Sequence, residues 1–294
     1  MKRFSDTKQA SIFGIIGNIF LFIIKVIVGF ISNSQAMIAD AFNSGSDIFS
    51  SFMTYIGNKI ASKSADDDHN MGHGKAEYIY ALLISITMIL LGLEILNKLI
   101  VSIIKNQEYH YNVWLIVVCL VTIVVKLCLY LYTRKVGKKH HNLLIEANSK
   151  DHRNDILLSG LTLLSVILSY LGIKYIDGLV GIFIVCFIVW NGIQIFIESY
   201  DVLMDKTISS ETKDKVLDII NEYPEIIKIN HFNATPVGYK YMVNFSIFVD
   251  GNLSTFESHE IADKLEREIH KKVDEIYLTV IHVNPIEIKK NTKK

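Results

Sequence analysis

Oxygen donors stand at helical spacing in two stretches of this chain where apolar side chains would be expected. The first, AMIADAFNSGSDIFSS, carries Asp40, Asn43 and Asp47; the second, EANSKDHRNDILLSG, carries Asp151 and Asp155 just ahead of an apolar run that starts at Ile156. Asn43 and Asp47 are four residues apart, as are Asp151 and Asp155, so each pair lies on one helix face, with Asp40 a turn before Asn43 on the same face. An acidic group at mid-membrane costs at least about 2.5 kcal/mol, and such groups normally face a cavity, an ion path or a partner. Two helices that each present two donors one turn apart can close a four-ligand cage from Asn43, Asp47, Asp151 and Asp155. The bland alternative is a set of capping or interfacial carboxylates near helix ends.

Three carboxylates and an amide are hard donors. A set without thiolate or imidazole suits magnesium, calcium or manganese better than zinc or copper, and zinc normally recruits His or Cys. His152 follows Asp151 directly, points about 100° away around the helix, and so faces another helix or solvent. Carboxylates bind protons as well as metals, so inward-moving protons competing for Asp47, Asp151 and Asp155 can drive metal outward, with alternating access as a tilt of the helix pair. A second cluster lies in the loop ADDDHNMGHGKAE, where Asp66, His69 and His73 are close enough to gather one ion and Gly72 and Gly74 permit a tight turn; a merely polar loop is the alternative. His231, His259 and His282 can converge only through the fold, and scattered histidines are usually not ligands. Lys25, Glu94 and Lys126 interrupt apolar runs and read as snorkelling or as pairs between helices. Cys119, Cys128 and Cys186 lack metal-ligand or redox spacing and read as small apolar packing residues.

The elements that must hold these groups follow from hydropathy. Half of the 294 residues are apolar, yet the chain carries 30 basic and 30 acidic residues, which suggests two solvents for one chain. A hydrocarbon core of about 30 Å takes roughly 20 apolar residues of helix, and six stretches qualify: Ile12 to Ile31, Ala36 to Ile60, Ala76 to Ile104, Val113 to Tyr132, Leu143 to Ile173 and Leu179 to Ile197. The second and fifth are the least apolar. Lys2, Arg3, Lys8, Lys59, Lys63, Lys75, Arg134, Lys135, Lys138 and Lys139 mark one set of ends as cytoplasmic, while the alternate connections offer only Lys105 and Lys174. Both termini are then cytoplasmic. The first run has no small-residue cleavage site and reads as a span, not a signal peptide; the lack of a targeting segment favours a bacterial inner membrane.

After Asp205 the pattern becomes soluble: a helix from Ser210, strands near Ile226 to Phe232 and Tyr239 to Val249, an amphipathic helix from Thr255 to Lys272, and a strand from Glu275 to Val283. The expected fold class is an α-helical membrane protein of six transmembrane helices (residues 1–206) with a small C-terminal α+β domain of αββαβ, ferredoxin-like order (residues 207–294). Docking to a copy of itself would help so small a core. With no basic excess, a nucleic-acid partner is excluded. A membrane-embedded metal-dependent enzyme would need an activated nucleophile and a substrate pocket, and no nucleophile elbow or phosphate loop is present, so a secondary transporter is the expectation.

Taken together, ADAFNSGSD, DDDHNMGHGKAE, DHRND, VLMDK and the αββαβ tail ending in VIHVNP resemble the cation diffusion facilitator family, in the family's order and over nearly the whole chain. The resemblance implies a homodimeric metal/proton antiporter in a lipid bilayer, with Asn43, Asp47, Asp151 and Asp155 as the transport site and Asp66, His69 and His73 as a loop site. It also implies that Lys75 pairs with Asp205 across the dimer near the membrane surface. Zinc-exporting members typically have His where Asp151 stands, and the Asn-Asp-Asp-Asp set resembles the manganese-exporting branch; zinc, iron and cobalt stay open. No permanently bound cofactor is implied, the divalent cation being the cargo. His231, His259 and His282 match family ligand positions in the tail. Ser246 and Asn284 depart from the family's His and Asp there, which leaves dimerisation as the tail's main expected role.

Overall fold

All six long helices expected from the apolar runs form. The computed structural model describes residues 2–105, 112–140, 143–173 and 175–287. The side chains of Lys2, Arg3, Lys8, Lys138, Lys139 and Lys174, on which part of the expected orientation rests, lie outside the described ones. The helices are α1 (Lys2–Ser32), α2 (Gln35–Ala61), α3 (Ala76–Ile104), α4 (Val113–His140), α5 (Leu143–Tyr170) and α6 (Ile176–Leu203). Of these, α1, α3, α4 and α6 are long and apolar enough to cross a membrane by composition alone. Asp40, Asp47 and Lys59 interrupt α2, and Lys150, Asp151, Arg153 and Asp155 interrupt α5. The two helices that hold the candidate ligands are thus the two least suited to face lipid.

By compactness the chain divides into two units, Met1–Met53 with Leu83–Phe196, and Thr54–Leu82 with Ile197–Lys294. In the first, Phe30, Leu90, Leu131 and Trp190 leave more than half of their surface uncovered, an arrangement that water penalises and hydrocarbon accepts. Inside, Ala39, Leu99, Leu158, Ile184, Val185 and Ile188 join α2, α3, α5 and α6. Met37, Leu115, Val118, Cys119 and Val166 form a second cluster from α2, α4 and α5. A methyl on Gly181 of α6 would come within 3.0 Å of the Gln35 backbone, so the missing side chain is what lets α6 approach the start of α2.

That start is also where one carboxylate ties three helices. The first N–H groups of a helix lack partners within it. At α2 they meet Asp177, from the first turn of α6, whose Oδ2 accepts from the N–H of Gln35 and, at 3.2 Å, of Ala36. Its Oδ1 accepts from Ser34 Oγ at 2.8 Å and from Ser165 Oγ of α5 at 3.2 Å. Ser34 Oγ in turn accepts from the Met37 N–H at 3.2 Å, a side-chain N-cap.

In the second unit α7 (Ser210–Asn221), β1 (Lys228–Val237), β2 (Lys240–Asp250), α8 (Thr255–Lys272) and β3 (Ile276–Ile286) give the expected αββαβ order. The sheet runs β1-β2-β3, with β1 antiparallel and β3 parallel to β2. A parallel pair needs a crossover, which α8 supplies. Val243, Phe245, Ile247 and Val249 are buried at every second position of β2. They pack with Val216, Ile219 and Ile220 of α7 and Leu265 and Ile269 of α8. Ser254 and Glu257 close a capping box at the start of α8.

Candidate metal sites

In the first unit α2 and α5 meet through their polar residues. Asn43 Nδ2 donates to Asp155 Oδ1 at 2.9 Å, and both side chains are buried. The other Asp155 oxygen, Oδ2, accepts from the ammonium of Lys126 on α4, which also donates to Asn18 Oδ1 of α1 at 2.7 Å. Lys126 has no exposed surface. Asp47 is half-buried a turn along α2, within electrostatic reach of Asp155 and Asp151, while Asp151 is exposed. Two of the four expected transport residues therefore touch, and Asp47 and Asp151 flank them.

Asp40 has a different environment. Its Oδ2 pairs with Lys25 of α1 at 2.9 Å and accepts from Ser159 Oγ of α5 at 2.9 Å. Lys25 also donates to Ser44 Oγ at 3.1 Å. The two buried lysines are thus paired between helices, whereas Glu94 meets Lys98 on its own helix at 2.6 Å. His152 is buried and packs toward α1, since a methyl on Gly14 would lie 3.7 Å from its Nε2.

In the second unit the loop residues come together. Ligand atoms of Asp66, His69 and His73 lie within 4.8 Å of one another, and this is the one three-ligand His, Cys or acidic group among the described residues. Asp66 Oδ1 accepts from the His69 N–H at 2.7 Å, and His73 Nε2 stands 3.5 Å from Asp66 Oδ2. The His69 backbone N–H holds the Asp66 carboxyl below its ordinary range, and both imidazoles act in the same direction. Gly72, at φ +74°, makes the turn that returns its N–H to the His69 carbonyl at 2.8 Å. Gly74 lies against the β1–β2 turn so closely that a methyl there would fall 2.8 Å from Gly238 Cα.

The tail histidines do not gather within one chain. His231 sits at the irregularity in β1 with φ +53°, His259 is exposed on α8 beside Asp263 at 3.3 Å, and His282 of β3 reaches Asn284 Oδ1 at 3.1 Å. Ser246 is the register partner of His282 on β2. Lys75 and Asp205 do meet, at 2.7 Å, but within one chain, so this contact does not require the second protomer that the resemblance implies. Sequence reasoning missed Asn18 and Asp177. A carboxylate at the start of a span was the available signal for Asp177; Asn18 gave only a polar residue within an apolar run.

Residues 11–204 match the cation efflux transmembrane domain, and residues 208–286 the cytoplasmic domain of cation efflux proteins. The chain is 27% identical to the manganese efflux system protein MneP of Bacillus subtilis over 97% of its own length and 98% of that protein. Identity with the magnetosome protein MamM of Magnetospirillum gryphiswaldense is 30% over 93% of this chain and 86% of that one. With the manganese efflux system protein MneS of Bacillus subtilis it is 27% over 98% and 100%.

Proposed function

Because the chain belongs to the cation efflux family, whose members are multi-pass membrane transporters and not enzymes, we propose that the ion it expels is manganese, held by Asn43, Asp47, Asp151 and Asp155 and exchanged for protons. The observation that carries this reading is the contact of Asn43 with Asp155, which joins the two polar helices at their ligands. Asn43 gives Asp155 its amide nitrogen and keeps its amide oxygen for a cation. The donors are then all oxygen, as manganese favours over zinc. The likeness to MneP and MneS supports the same ion.

The same carboxylates take protons, so metal and proton compete for Asp47, Asp151 and Asp155 and the inward flow of one drives the outward flow of the other. Asp66, His69 and His73 form a second, mixed oxygen–nitrogen site in the loop. The chain works as a homodimer, with both termini in the cytoplasm of a bacterial cell, the inner membrane as its host, and the boundary between its two parts at residue 206.

The test is metal movement into sealed proteoliposomes that carry a pH gradient, comparing manganese, zinc and cobalt. The unaltered chain moves manganese and discharges the gradient, Asp47→Ala loses transport while the protein stays folded, and Asp151→His shifts preference toward zinc. Zinc preferred by the unaltered chain would overturn the manganese reading; transport retained in Asp47→Ala would overturn the site.

A further inference from the structure

Resting on the transport-site reading above, we infer that Lys126 is a built-in counter-cation of the transport site: its ammonium competes with the metal for Asp155 and thereby sets affinity and release. A buried ammonium without a partner is strongly disfavoured, and Lys126, with no exposed surface, has two oxygen partners, Asp155 Oδ2 and Asn18 Oδ1. The other buried lysine, Lys25, is matched by Asp40, which is not among the proposed ligands. Lys126 is matched by a ligand.

Both oxygens of Asp155 are engaged, Oδ1 by the Asn43 amide and Oδ2 by Lys126. A divalent ion that binds Asp155 meets the ammonium's positive charge on the same carboxylate, and repulsion drives the ammonium toward Asn18. Asn18, a neutral acceptor on α1, lets Lys126 stay paired while it yields the carboxylate. The loaded site then balances: three carboxylates, one divalent ion and one ammonium carry no net charge. Neutrality matters because moving net charge through a low-dielectric span is penalised. The displaced ammonium still repels the ion across a few ångströms, which loosens binding and speeds release.

The experiment measures manganese binding to the purified full-length chain, with and without Asp47→Ala in each background, so that the Asp47-dependent fraction is separated from the loop site. In Lys126→Gln, which keeps a hydrogen-bond donor and removes the charge, Asp47-dependent binding tightens about tenfold or more while exchange in proteoliposomes slows; Lys126→Arg stays close to the unaltered chain. Asn18→Ala, which removes only the neutral acceptor, holds the ammonium on Asp155 and weakens the same binding. A folded Lys126→Gln protein with unchanged or weaker Asp47-dependent binding reduces Lys126 to a strut and overturns the inference. So does unchanged or tighter binding in Asn18→Ala, should Lys126→Gln fail to fold. If the unaltered chain has no Asp47-dependent binding at all, the transport-site reading itself falls, and the inference with it.

Discussion

At Asp66 a single exposed carboxylate serves two imidazoles, and its own backbone neighbourhood decides how it responds to acid. The His69 N–H keeps the carboxyl below its ordinary range. A carboxyl shifted in this direction holds its charge everywhere above the ordinary carboxylate range and loses it only as pH falls through the lowered value. Across about pH 5 to 8 it therefore stays ionised. Asp66→Asn should weaken manganese binding at the loop at least about tenfold, because it removes the one anionic donor of the three. Manganese titration at neutral pH in an Asp47→Ala background checks this; unchanged binding contradicts it. The candidate ligands were legible because each is costly where it stands or sits a turn from another. The partners of Lys126 were not. Its pairing with another helix was readable, but Asn18 lies 108 residues away and Asp155 is 29 residues along, and only the packing of α1, α4 and α5 brings them to one ammonium.

Among the elements, α2 depends at its start on a group outside itself. Asp177 accepts from its first two N–H groups, so Asp177→Ala orphans both and costs roughly 1–3 kcal/mol, read as a lower thermal midpoint in detergent; an unchanged midpoint would mean that Ser34 alone caps the helix. Length and apolarity made the six helices readable, and the polar interruptions marked α2 and α5 as inward-facing. The capping of one helix by another was hidden, because Asp177 follows Gln35 by 142 residues and nothing local distinguishes it from an ordinary first-turn acid. In the tail, alternation along β2 and the spacing of Ile261, Leu265 and Ile269 on α8 announced the sheet and its covering helix. The irregularity that isolates His231 in β1 follows from strand pairing and was not readable.

For the molecule as a whole, the loop and the tail share a contact with no room for side chains. Gly238 has φ +64°, which other residues adopt at a cost, and a methyl there would sit 3.1 Å from Gly74 Cα. Gly238→Ala should destabilise the full chain by about 1–2 kcal/mol, measured by denaturant unfolding, and should disturb the loop residues beside it; unaltered stability would show that the hairpin shifts freely. At the start of α2, the hydrogen bonds to Asp177 supply a pivot for the helix tilt expected of alternating access. Asn43 lies eight residues beyond Gln35, about 12 Å along the helix, so a tilt of roughly 10° moves it by only about 2 Å. That suffices to break a hydrogen bond, whereas the Ala61 end, about 39 Å away, sweeps several times farther. A lever of these proportions would open a wide door at its long arm while cargo held at Asn43, close to the pivot, would scarcely travel.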